Sequence, residues 1–190
     1  MRYAVASMLT LLSAMSVCAA AEQVVVDFES ATVHLPGDKV NRVPQWIEKG
    51  VTFTLAHEPR QSKAKGLLMF FTHIGSGHKG IVCAMATEPI PVRATFSKPV
   101  SSVTVAMWGS TGMPARLEAF DSEGKVVDRA SLESVPGRKN TGEPVPIFTM
   151  TVKAERIAWV EFSGPREGEY LARLRLRPTR CIFADLGGGG

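Results

Sequence analysis

Ala115-Arg116-Leu117-Glu118-Ala119-Phe120, then Asp121-Ser122-Glu123-Gly124, then Lys125-Val126-Val127-Asp128-Arg129-Ala130, is the stretch from which the fold reads most directly. Two short runs flank a polar four-residue turn, and Gly124 supplies the positive φ that such a turn often needs. This is a β-hairpin. Working upstream, Ser102 to Trp108 and Pro91 to Phe96 read as strands joined by a turn at Ser97-Lys98-Pro99. Ile81 to Met85 and Leu67 to Phe71 flank the glycine loop Gly75 to Gly80. Val51, Phe53 and Leu55 alternate with threonines after the Gly50 break, and Val24, Val26 and Phe28 alternate with Val25, Asp27 and Glu29. Pro36 and Pro44 bracket a loop expected to hold one helical turn near Gln45 to Glu48. Downstream, the polar loop Ser134 to Pro144 leads into Ile147 to Val152, with Phe148, Met150 and Val152 on one face. Ile157 to Phe162 and Tyr170 to Arg177 close the series, parted by Ser163-Gly164-Pro165. Short alternating runs with turns every eight to twelve residues or so predict an all-β protein, ten or eleven strands in a two-sheet antiparallel β-sandwich. Phe28, Phe53, Val105, Phe148 and Phe162 are expected in one core, and Trp159, between Ala158 and Val160, is expected to be buried with them.

The chain has 190 residues, a length that suggests one domain. Its 22 Lys and Arg against 18 Asp and Glu leave a formal charge of +4, too small to imply nucleic acid as a partner. Outside the N-terminus no run of about 18 uncharged apolar residues appears, so no membrane span is predicted. Residues 1–21 combine Arg2, the apolar stretch Met8 to Val17 and the small residues Ala19 and Ala21, which is the pattern of a secretory signal peptide cleaved before Glu22. A lipidated Cys18 is the rival, but Met15-Ser16-Val17 lacks the leucine and small final residue of a lipobox. The expected organisation is therefore a signal peptide over 1–21, a single sandwich over 22–180 and a flexible tail over 181–190 ending in Gly187 to Gly190, with a secreted or periplasmic destination. Export also permits a disulfide between the remaining cysteines, Cys83 and Cys181. Closing that loop is worth roughly 4–5 kcal/mol in the chain-entropy account, and two free thiols are the alternative.

The segments Val26-Asp27-Phe28-Glu29, Gly50-Val51-Thr52-Phe53, Phe96-Ser97-Lys98-Pro99-Val100, Leu117-Glu118-Ala119-Phe120-Asp121 and Val160-Glu161-Phe162-Ser163-Gly164 come in an order that resembles the galactose-binding-like jelly rolls of secreted bacterial proteins. The resemblance covers most of residues 24–177. It implies a jelly-roll sandwich acting as a carbohydrate-binding or cell-surface adhesion module, with glycan bound at loops on one edge. It also allows a structural calcium ion, for which the sequence itself supplies no support. Relatives often carry an acidic pair in the last strand where this chain has Leu171-Ala172-Arg173-Leu174, so no metal or ligand role is carried over there. The hydrophobic sorting tail of many such exported proteins is also missing, which suggests a released product.

Catalytic chemistry finds little footing. G-x-S-x-G is absent, and Glu118 and Glu161 lie in separate strands outside any acidic motif, so no enzyme is predicted and no catalytic residue named. His73 and His78 flank the glycine loop at a spacing that converges no two rings on one ion, and the loop lacks the order of a phosphate cradle, so no metal site is predicted. Arg173, Arg175 and Arg177 form a row on one face of the last strand. Such a row suits an acidic polysaccharide, but Asp27 and Glu29 on the first strand are expected partners and suffice to explain it. Sugar recognition calls for flat rings on loops beside polar groups, and Trp46, Trp108 and Tyr170 are the ligand-binding candidates on that ground. The reading is a non-catalytic module for a glycan or cell-surface partner. Its alternatives are a purely structural or interaction module and, third, a glycan-acting hydrolase.

Overall fold

The computed structural model describes residues 23–32, 42–60, 67–73, 76–83, 90–109, 112, 114–137, 140, 143–163 and 170–179. The expected signal peptide (1–21) and tail (181–190) lie outside them. The described residues form ten strands: β1 (Val24–Val26), β2 (Trp46–Glu48), β3 (Val51–Leu55), β4 (Leu68–Thr72), β5 (Lys79–Cys83), β6 (Val92–Trp108), β7 (Ala115–Phe120), β8 (Val126–Leu132), β9 (Phe148–Ser163) and β10 (Tyr170–Pro178). The fold is all-β, with two antiparallel sheets. Ladder hydrogen bonds nevertheless run on from one sheet to the other, because β6 and β9 each serve in both.

In the first sheet β10 lies between the C-terminal half of β6 on one edge and β5 and β1 on the other, with β4 beyond β5 and the N-terminal half of β9 beyond β6. The second sheet runs β2, β3, the N-terminal half of β6, the C-terminal half of β9, β7 and β8. The turn expected at residues 97–99 is instead a bend within β6. Pro99 has no N–H for a ladder, and it falls where the β6–β9 register shifts, between Thr95 and Val100. Ser97 N–H finds Gly50 O at 3.0 Å, so the bend leaves that donor satisfied. The matching break in β9 is also a bulge: from Lys153 to Ile157 its chain advances four residues while β6 advances two, from Ser102 to Val100. The two strands expected over 147–152 and 157–162 are therefore one.

A second correction concerns residues 45–48, where β2 replaces the expected helical turn. Lys49 (φ 49°) and Gly50 (φ 77°) make the two-residue loop between β2 and β3, and two positive φ values match the right-handed twist of a tight hairpin.

The five expected core residues Phe28, Phe53, Val105, Phe148 and Phe162 share one buried cluster. The first sheet contributes Val103, Val105, Met150, Val152, Leu174 and Leu176, and the second Val51, Phe53, Ala94, Leu117, Val160 and Phe162. Phe28 meets Phe53 edge-on at 5.1 Å and Phe70 at 6.0 Å. Trp159 departs from expectation. It is half-buried on the outer face of the second sheet, stacked on Phe120 at 5.4 Å with Arg93 5.4 Å from its ring centre, and opposite in parity to the buried Val160 and Phe162.

Candidate functional site

The parity that buries Val103, Val105 and Met107 sends Ser102, Thr104 and Ala106 to the opposite face of the first sheet, and β9 and β10 follow the same rule. Register aligns three rungs across that face: Arg173–Ala106–Thr149, Arg175–Thr104–Thr151 and Arg177–Ser102–Lys153. A shallow cavity of about 150 Å³ opens over the first two. Arg173, Arg175, Thr104 and Thr149 line it, with Ala106 beneath and Ile147 and His78 also on its wall. Thr104 and Thr151 share a hydroxyl hydrogen bond of 2.9 Å. Ile147 is 40% exposed, one of the two large apolar side chains at the surface among the described residues.

Asp27 and Glu29 do not neutralise the arginine row. β1 ends at Val26 and Phe28 takes a left-handed conformation (φ 60°), so the ladder that would set both acids beside β10 stops short of them. Asp27 lies 4.0 Å from Lys49, and Glu29 is 3.5 Å from His78 Nδ1 while its carbonyl and that of Ala31 accept from Lys79. Among the described residues no carboxylate lies within 4.0 Å of Arg173, Arg175 or Arg177.

The three aromatic candidates are not gathered into one platform. Trp108 is only 5% exposed and packs edge-on to His73 at 4.9 Å, so its ring has no free face for a sugar; this corrects the expectation at that position. Trp46 is half-buried, its ring 5.0 Å from Phe70 and its Nε1–H donating to Glu48 Oε2 at 3.2 Å. Tyr170 opens β10 opposite Trp108 in the ladder. Cys83 ends β5 opposite Leu68, and Cys181 lies outside the described residues.

His73, 2% exposed, has a different role from the metal ligand considered for it. Val145 O can only accept, so Nε2 carries the hydrogen of their 2.7 Å bond, while Nδ1 receives the Ser76 hydroxyl (2.6 Å) and backbone N–H (3.3 Å). Val145 is two residues before Ile147, so this imidazole ties one wall of the cavity to the end of β4. Sequence offered no sign of that brace, which spans 72 residues. Thr104, Thr149 and Ile147 were also missed. Their outward parity was legible, but nothing local says which strands flank β10.

Glu118 and Glu161, weighed as a hydrolytic pair, stand opposite each other in the β7–β9 ladder on the second sheet. Arg129 engages Glu118 at 2.7 Å, and Arg93 engages Glu161 through Nε (3.0 Å) and Nη2 (2.7 Å). The row Arg93–Glu161–Glu118–Arg129 is a cross-strand charge ladder, and each carboxylate is held by its own guanidinium. No described helix is long and apolar enough to cross a membrane.

No family model matches the chain, and no curated protein does. Among solved structures, a cleaved adhesin domain of Lys-gingipain from Porphyromonas gingivalis is 8% identical, with 83% of this chain and 99% of that one covered at a TM-score of 0.48. An arabinose-bound α-L-arabinofuranosidase is 10% identical over 68% of this chain and 23% of that one, at 0.41. A carbohydrate-binding module from Cellvibrio mixtus lichenase 5A, in complex with cellotriose, is 12% identical over 67% of this chain and 97% of that one, at 0.35. Likenesses of this size carry nothing about function.

Proposed function

We propose that this chain is a secreted, non-catalytic β-sandwich module of the galactose-binding-like jelly-roll kind that binds a glycan or cell-surface partner, and that it does so on the outer face of the first sheet. One observation carries the reading: Arg173 and Arg175 line a cavity beside two threonine hydroxyls and an exposed isoleucine, without a carboxylate partner among the described residues. Two guanidiniums without a carboxylate partner among the described residues add no ion-pair stability to the fold, whereas hydroxyl, guanidinium and apolar groups side by side suit the mixed surface of a sugar ring. Export, with removal of residues 1–21, belongs to the same reading. So do Tyr170, three residues before Arg173 on the cavity-lining strand, and the Cys83–Cys181 disulfide.

The buried Trp108 favours a second reading, an interaction module without a small ligand, because it removes the ring best placed for sugar stacking. A glycan array probed with the chain from Glu22 to Gly190 separates the two. Saturable binding to a defined set of glycans, lost on Thr104→Ala with Thr149→Ala, is the expected outcome. An array with no saturable signal leaves the interaction module.

A further inference from the structure

We infer that the cavity selects an anionic glycan, a chain of uronic acid or sulfated sugars, with Arg173 and Arg175 taking its charged groups; this rests on the binding role proposed above. Three features of the outer face lead there. First, spacing: the two arginines stand two residues apart on one strand face, about 6.8 Å along β10. Register sets Ala106 and Thr149 beside one, and Thr104 and Thr151 beside the other. A chain lying along β10 thus meets a guanidinium at each rung, each a planar fork able to grip a carboxylate or sulfate through two parallel hydrogen bonds.

Second, size. At about 150 Å³ the cavity is smaller than the roughly 300–1,000 Å³ of pockets that enclose drug-sized ligands, so it suits one unit of a longer chain that continues over the sheet. The third rung continues the positive charge with Arg177 and Lys153, both exposed.

Third, the acidic groups nearby stand outside the cavity. Glu29 lies 3.5 Å from the ring of the cavity-lining His78, and Asp128, bordering the third rung, accepts from Lys153 N–H at 2.7 Å, but neither is among the lining residues. The permanent charges that line the cavity are the guanidiniums of Arg173 and Arg175. A neutral glycan would leave both guanidiniums without a counter-charge, whereas an acidic one supplies it. The hydroxyls of Thr104 and Thr149 and the side chain of Ile147 suit the mixed polar and apolar surface of a sugar chain, and the described lining residues include no phenylalanine, tyrosine or tryptophan for successive bases to stack on.

The test is calorimetric titration of the chain from Glu22 to Gly190 with oligogalacturonate and with its methyl ester, which keeps ring and hydroxyls and removes the charge. Sulfated oligosaccharides, single-stranded DNA and phosphatidylserine vesicles form further arms. Binding of oligogalacturonate or a sulfated glycan, at least about tenfold tighter than the methyl ester, is expected. Arg173→Gln and Arg175→Gln should each weaken it about tenfold, with Arg→Lys at the same positions giving an intermediate loss. Arg116→Gln, which removes a charge on β7 outside the cavity, should leave it unchanged. Thermal melts of each variant establish that it folds. Equal binding of acid and ester overturns the selectivity while leaving the glycan site standing, and so does acidic binding indifferent to Arg173 and Arg175. Tighter binding of DNA or vesicles than of any acidic glycan also overturns it. An absence of binding to every glycan overturns the proposed function with it.

Discussion

Trp108 and His73 show how far a single residue's role can depart from its local sequence. A tryptophan before Gly109-Ser110-Thr111-Gly112 resembles an exposed platform, yet the ring is buried against an imidazole from another strand end. Local polarity describes the loop that follows Trp108, whereas the ring's surroundings are decided by what packs over it, and that information lies near residues 73 and 145. Trp108→Ala should therefore act on stability, costing about 3–5 kcal/mol for the cavity it opens. Glycan titration of the folded fraction should give wild-type affinity. Thermal melts paired with those titrations check this, and weakened binding at unchanged melting temperature would return the ring to the ligand site. Inward positions were legible at this scale: Phe28, Phe53, Val105, Phe148 and Phe162 follow from alternation alone and meet in one cluster. For Phe28 the alternation does not extend to the backbone. Its left-handed conformation costs on the order of 1–2 kcal/mol, and burial against Phe53 and Phe70 offsets it.

The elements were read well where pairing is local and poorly where it is not. The β7–β8 hairpin carries its own turn chemistry, down to the Asp121 carboxylate accepting from the N–H groups of Glu123 and Lys125. β2–β3 turns more tightly still, but its loop is Lys49-Gly50, and a lysine at positive φ gives no advance signal. Gly50→Ala tests that hairpin. The new Cβ would meet Ser97 Oγ at 2.9 Å in a backbone region that alanine rarely enters, so a loss of about 1–2 kcal/mol is expected. That corresponds to a melting temperature roughly 2–8 °C lower, read by calorimetry. A variant as stable as the parent would mean that the turn has another geometry. β6 was divided at Ser97-Lys98-Pro99, where a proline normally ends a strand, and β9 at Lys153-Ala154-Glu155-Arg156, where charged residues interrupt the apolar alternation. Here the partner strand bulges at the same place, and a sequence read one strand at a time cannot show a bulge shared by two.

At the scale of the molecule, sheet class and layering followed from composition and alternation, whereas strand order did not. Nothing in residues 24–26 announces that their ladder partner is 174–176. The order is nonetheless what assembles the cavity, by placing β10 beside β6 and β6 beside β9. It also concentrates the fold's dependence on one strand, since β10 pairs with β1, β5 and β6. A chain ending at residue 169 should consequently fail to fold as a unit. Circular dichroism without a cooperative melt, and collapsed amide dispersion in NMR, are the expected readings; a cooperative melt near that of the full chain would contradict them. The same pairing governs how the protein is made. A ribosome adding about 5–20 residues per second releases β1 well before β10, so β1 waits for most of synthesis without its ladder partner. The nascent chain cannot complete its first sheet until β10 emerges. Until then the strands of the second sheet can pair among themselves, but their inner face lacks the layer that covers it, so the half-made protein is a single sheet with one oily side.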